Sequence, residues 1–237
     1  CLDGFFLSHS MQKVSVPSDE EAWSFIGEYE RKNTYLDTAD PMFVSNLTPS
    51  DSNEEMRYQQ KMGFKAAAET APAVFAEYEK LVGRKLSTVD SYRLEDAEVA
   101  VVTLGSMGGT AKYVVNQLRA KGIKAGAMRI VMFRPFPEEE IRKALSHVKV
   151  IGVVDRSAGL GSLDAPTCVE VKAALFGAAC KVFSFIGGIA GRDISNYSFE
   201  RIFSDLIAVK NGESDTVTQW FDLNGDPMAV REVEIDV

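Results

Sequence analysis

The sequence predicts an α/β fold: a three-layer, mostly parallel sheet with helices on both faces, preceded by a helical and extended arm. Between residues 97 and 208, near-continuous apolar runs alternate with stretches whose apolar residues recur at three- and four-residue steps. Strands that apolar must be covered on both faces, and their alternation with helices makes neighbours parallel. Each run ends in glycine, proline or a charged residue, where the chain has to turn.

In chain order, Cys1-Leu2-Asp3-Gly4-Phe5-Phe6-Leu7-Ser8-His9 reads as the end of a strand leaving for a loop, which predicts a piece of a longer polypeptide. Ser18, with Glu21 three residues on, predicts a capped helix running to about Tyr29. Residues 33–53 hold Pro41, Pro49 and many small polar residues, as in a draped connection or an arm lying on another subunit. A longer helix is predicted from Asn53, with Phe64, Ala67, Ala71, Val74, Phe75, Tyr78, Leu81 and Val82 on one face. Pro72 should kink or divide it near Ala68, and Gly83 should stop it.

Residues 85–98 are polar and lead into the first strand, Val99–Leu104. Ala111, Val114, Val115 and Leu118 give the next helix its apolar stripe, ended by Gly122. Residues 127–133 and 148–154 read as the second and third strands, separated by a helix carrying Ile141, Ala144 and Leu145. A helix to about Phe176 should face Val169, Ala173 and Phe176 inward, and Lys181–Ile186 is the fourth strand. Phe199, Ile202, Phe203 and Leu206 supply a closing helix. The polar tail from Asn211, with its apolar pair Trp220-Phe221, should dock on a neighbour or fray.

The composition excludes several functions. At 237 residues, 46% hydrophobic and 25% charged, the chain is an ordinary globular protein, and 26 basic against 34 acidic residues leave −8. That balance, with no basic run, argues against nucleic acid and anionic membrane as partners. No segment is apolar for long enough to span a bilayer and no signal-peptide layout precedes residue 12, so the expected location is cytoplasmic. Cys1, Cys168 and Cys180 show no CxxC spacing, which speaks against a disulfide framework, a zinc site or an iron–sulfur cluster held by this chain alone. His9 and His147 lie in separate segments, and no G-x-S-x-G elbow is present, so neither a histidine relay nor a serine nucleophile is indicated.

In open parallel sheets the loops after the strands' carboxyl ends form the ligand crevice. Here those loops carry Gly105, Ser106, Gly108, Gly109 and Thr110; Arg134; Asp155 and Arg156; and Gly187, Gly188, Arg192 and Asp193. Free N–H groups at a helix N-terminus after Gly105 could cradle an anion, and the arginines could hold one. The same residues equally serve a tight turn, a loop brace or a subunit interface. Neither G-x-G-x-x-G nor the Walker pattern is present to favour a nucleotide.

A set of motifs follows in one order: Asp3-Gly4-Phe5 with Ser8-His9, Leu36-Asp37 and Asp40-Pro41, Leu104-Gly105-Ser106-Met107-Gly108-Gly109-Thr110, Phe133-Arg134-Pro135-Phe136-Pro137, Val154-Asp155-Arg156, and Gly187-Gly188-Ile189-Ala190-Gly191-Arg192-Asp193. In this order they resemble the alpha subunit of the pyruvate:ferredoxin oxidoreductase family, to about residue 208. The resemblance implies thiamine-diphosphate chemistry with Mg2+, in which a 2-oxoacid is cleaved, its acyl group joined to coenzyme A and electrons passed through [4Fe-4S] clusters to ferredoxin. It implies that residues 1–12 end a pyrimidine-binding thiamine domain, that 13–94 are a linker arm with helices, that 95–210 resemble the C-terminal domain of transketolase, and that 211–237 are a tail. It also implies that the cofactor, metal and cluster ligands lie outside this chain, in other subunits or domains of the complex. It therefore implies no catalytic residue in this chain, whose role is mainly assembly. Two other readings stay open: a stand-alone module binding an anionic small molecule, and the terminal domain of a transketolase or 2-oxoacid dehydrogenase-type enzyme.

Overall fold

A computed structural model describes residues 9, 11, 13–30, 36–42 and 47–224. The expected strand end before His9 and the tail beyond Asn224 lie outside them. The chain divides into two compact units, residues 12–87 and residues 88–237 with 1–11.

In the smaller unit, helix α1 (Asp19–Ile26) starts from a complete capping box: Ser18 Oγ accepts from the Glu21 N–H, and the Glu21 carboxylate accepts from the Ser18 N–H. It stops three residues short of the predicted end, because Gly27 takes φ 74°. Helix α2 (Ser50–Val82) runs 33 residues to a left-handed Gly83. Pro72 does not divide the helix, which continues on both sides of it. Residues 61–70 are solvent-exposed, so water can satisfy the Ala68 carbonyl that loses its helical donor. Phe25 of α1 packs edge-on against Tyr78 of α2, with ring centroids 5.7 Å apart.

The larger unit holds a five-stranded sheet in the order β1-β3-β2-β4-β5. Strands β2 (Val99–Leu104), β3 (Ala125–Ile130), β4 (Val150–Asp155) and β5 (Lys181–Ile186) are parallel, and β1 (Val89–Tyr92) pairs antiparallel with β3. Alternate residues of each strand feed two cores. Val99 and Val101 join one with α3 (Met107–Ala120) and α6 (Asn196–Asn211), while Ala100 and Val102 join the other with α4 (Glu138–Leu145) and α5 (Pro166–Ala174). The result is three layers, helices on both faces of a mostly parallel sheet.

Several expectations are corrected here. Strand β1 lies in the stretch read as a polar lead-in. Its sequence, Val-Asp-Ser-Tyr, gives no strand signal of its own, and pairing with β3 organises it. Strand β3 starts two residues early, at Ala125, because Gly126 belongs to the strand. A Cβ there would stand 2.6 Å from Leu94 and 2.8 Å from the Arg93 carbonyl. Helix α5 is rotated from its predicted phase: Cys168, Val171 and Ala174 face inward, whereas Val169 and Phe176 are 48% and 84% exposed. As far as Asn224 the expected tail packs on its own domain. It returns along β5, and Phe221 enters the core that also holds Phe199.

Candidate functional site

The strand order reverses at β2, since α3 carries the chain to β3 on one side and α4 carries it back to β4 on the other. The loops after β2 and β4 therefore diverge onto opposite faces, the place where open α/β sheets take ligands. Around this point lie all the loops singled out from the sequence.

After β2, Gly105 adopts φ 58° and turns the chain into α3. Ser106 occupies the N-cap position without a side-chain cap bond, and the Gly108 and Gly109 N–H groups donate to the Gly105 and Ser106 carbonyls at 3.4 and 3.2 Å. Those donors are thus already turned back on the loop. Thr110 is half-buried. Gly108 is buried against β3: a Cβ would meet Arg129 Cδ at 2.7 Å, while Gly109 faces open space. The Arg129 guanidinium continues past the glycine to Asp90 on β1 (2.9 Å), and Lys112 of α3 reaches the same carboxylate at 2.7 Å.

After β3, Arg134 stacks on the Phe133 ring, 4.3 Å from its centroid, and ion-pairs with Glu170 of α5. After β4, Asp155 is buried and caps α5 from outside it. Its carboxylate accepts from the Ser157 N–H at 3.1 Å and from the Thr167 N–H at 3.0 Å, and Ser184 Oγ of β5 accepts from Ala165 at 3.0 Å. Helix α5 begins Ala165-Pro166 and has no capping side chain of its own, so the sheet supplies the acceptors. Arg156 donates to the carbonyls of Gly188 (3.1 Å) and Arg192 (3.0 Å), tying the loop after β4 to the loop after β5.

In that last loop Gly187 lies under Phe221, Gly188 takes φ 69°, and Arg192 donates to the Asp222 carbonyl at 2.7 Å. Asp193 is exposed. The contacts join the loops after β4 and β5, and each arginine singled out from the sequence faces an acceptor of the protein itself. The sequence reading missed those acceptors: Glu170, the Gly188 and Arg192 carbonyls, and Asp222. Only the Trp220-Phe221 pair in a polar tail hinted at one of them.

Chemistry requiring a nucleophile or a metal finds little support in these groups. Burial is the chief cause that pushes the Cys168 thiol up to about 12, with the nearby Asp164 carboxylate adding to it, so it stays protonated at neutral pH. Among the described residues, no three or more His, Cys, Asp or Glu side chains stand together as metal ligands. The described residues offer no ligand set that fits a metal–diphosphate group or an iron–sulfur cluster, and no step through either is assigned to them. No helix among the described residues is long and apolar enough to cross a membrane.

Residues 97–199 match the sequence profile of pyruvate:ferredoxin oxidoreductase core domain II. The pyruvate synthase subunit PorA of Thermotoga maritima is 38% identical, the match covering 87% of this chain and 53% of that protein. The alpha subunit of NADH-dependent phenylglyoxylate dehydrogenase from Aromatoleum evansii is 37% identical over 90% of this chain and 53% of its own length. Among solved structures, a 2-oxoglutarate:ferredoxin oxidoreductase from Magnetococcus marinus aligns with 75% of this chain and 25% of its own, at 16% identity and a TM-score of 0.45. The chain spans about half the length of the curated relatives it matches. With core domain II at its centre and the PorA likeness running well beyond it, the chain belongs to the 2-oxoacid:ferredoxin oxidoreductase family.

Proposed function

We propose that this chain is part of the alpha subunit of a cytoplasmic pyruvate synthase, in which its α/β domain and helical arm serve subunit assembly. The whole enzyme would cleave pyruvate oxidatively with thiamine diphosphate, transfer the acetyl group to coenzyme A and deliver electrons through iron–sulfur clusters to ferredoxin. The cofactors would be held by other parts of the complex. Within it, residues 1–12 would close the thiamine domain, 13–94 would form the arm, 95–210 the domain resembling the transketolase C-terminus, and 211–237 the tail.

One observation carries the assembly role. The polar groups at the strand ends are committed internally, Asp155 to the α5 N-terminus, Arg156 to two loop carbonyls, Arg134 to Glu170 and Arg192 to Asp222. Groups committed in this way fix the shape of a surface, and their remaining capacity to take an anion such as the coenzyme A diphosphate is small. The test is pyruvate-dependent reduction of a viologen dye. This chain alone should show none, and an intact complex containing it should turn over; activity of the chain by itself would overturn the assembly role.

The phenylglyoxylate dehydrogenase relative, nearly as similar as the pyruvate synthase one, supports a second reading with another 2-oxoacid as substrate. Assaying the complex against pyruvate, 2-oxoglutarate, branched-chain oxoacids and phenylglyoxylate separates them. A rate with phenylglyoxylate above that with pyruvate would replace the first reading by the second.

A further inference from the structure

We propose that residues 217–224 are a latch: a strap that sets the conformation of the Gly187–Asp193 loop and opens as a unit while the sheet stays folded. The strap lies beyond residue 199, where the match to core domain II ends.

Its attachments are few and concentrated. The Thr218 N–H donates to Asp205 at 2.7 Å, the Ile186 N–H donates to the Gln219 carbonyl at 2.7 Å, and the Phe221 N–H donates to the Ile186 carbonyl at 3.2 Å. Gln219 reaches the Leu163 carbonyl at 2.8 Å. Of residues 211–224 only Phe221 is buried, at 3% exposure. It seats on Gly187 so closely that a Cβ there would stand 2.3 Å from the ring. Asp222 follows at φ 57°, accepting from Ser198 Oγ at 2.5 Å and standing 3.5 Å from the buried Arg201 guanidinium. A segment with one buried side chain and these few bonds, the Asp222 contacts with Ser198 and Arg201 the costliest to break, opens at lower cost than a strand bonded on both edges.

The loop beneath depends on this strap. Gly188, Ala190 and Gly191 all have positive φ, at 69°, 56° and 84°, and Ala190 pays a steric penalty there. Two grips hold that shape. Arg156 takes the Gly188 and Arg192 carbonyls from the β4 side, and the strap supplies the Phe221 ring and the Asp222 carbonyl from the other. Releasing the strap removes one grip entirely, so a pull on the chain beyond Asn224 is transmitted to the loop.

Hydrogen exchange on the full chain at rising, sub-denaturing urea tests this. In the unaltered protein the Ile186, Thr218 and Phe221 amides should share one opening with weak urea dependence, populated about 100-fold or more above the opening that exposes Val101 and Val153. In Phe221→Ala those three amides should lose protection while Val101 and Val153 keep that of a folded sheet. Gly187→Ala should do the same by expelling the ring. A single urea dependence for all five amides in the unaltered protein would show the strap to be part of the global unit and overturn the latch. So would an Arg192 amide, which donates to the Ile189 carbonyl within the loop, that stays protected once the strap amides have lost their protection.

Discussion

The helical arm and the sheet domain are built from similar residues and hold them in opposite ways. In the domain most apolar positions of the parallel strands are buried, and Phe199, Phe203 and Phe185 are almost wholly withdrawn from water. In the arm not one described residue between 13 and 87 is buried, although α2 presents Phe64, Ala67, Ala71, Val74, Phe75, Tyr78 and Leu81 along one face. Amphipathic periodicity is thus the same signal in both places with different outcomes. It marks a face that needs covering, and only in the domain does the chain itself complete the cover. Phe203→Ala should therefore cost about 3–5 kcal/mol in the urea unfolding of this chain. Phe64→Ala, 44% exposed at the start, should shift the midpoint by less than about 0.5 kcal/mol. Equal costs would erase the contrast.

Helix capping draws the same contrast on a smaller scale. Helix α1 caps itself through neighbours three residues apart, whereas α5 borrows Asp155 and Ser184 from two strands. Asp155→Ala strands two N–H groups and should cost about 2–3 kcal/mol of global stability by denaturation. Ser18→Ala should cost only about 0.5–1 kcal/mol of α1 itself, seen as lost helical circular dichroism with the domain's unfolding midpoint unmoved. A shifted midpoint would mean that the arm and the domain unfold together.

Adjacent glycines sharpen it further. Gly108→Ala should destabilise by about 1–3 kcal/mol, since its methyl group meets the Arg129 stem at 2.7 Å on a strand that cannot retreat. Gly109→Ala meets nothing within 4 Å and should be neutral or gain up to about 1 kcal/mol of helix propensity. Parallel melts of the two variants decide it; an equal loss in both would place the constraint in the loop's backbone rather than in the packing on β3.

These cases also show what could be read before the structure. Strands β2 and β5 match their predicted bounds because short runs dominated by apolar and β-forming residues between turn signals carry their own information. Strand β1, the early start of β3 and the phase of α5 were hidden because each is decided by a partner distant in sequence: β3 for β1, Leu94 against Gly126, and the second core for Cys168. Loop residues were legible for the same reason as the strands, since glycine and arginine after an apolar run stand out in the sequence. Their acceptors were not, because a backbone carbonyl leaves no mark on a sequence, and Asp222 lies 30 positions from Arg192. The chemistry of a loop is therefore less legible than its existence.

The smallest expected effect concerns the edge of the sheet domain where charge, rather than packing, joins the elements. Glu98 immediately precedes β2 and meets Lys149 at 2.9 Å and Lys210 of α6 at 3.5 Å. The hydrogen bond from Lys149 is the chief cause that holds its carboxyl below the usual 4.5, with both ammonium groups adding and partial desolvation opposing. A carboxyl lowered in the folded state contributes stability above its unfolded value, and that contribution disappears as pH falls through the folded value. Glu98→Gln should hence cost less than about 1 kcal/mol at neutral pH, because a pair with this much solvent contact is largely screened. The cost should vanish below the folded value, where both proteins are neutral at this position. It should also shrink at about 1 M salt, where the screening length falls to about 3 Å. A loss that persisted unchanged in acid and in salt would assign Glu98 a packing role, and would make this edge resemble the domain's interior more than its surface.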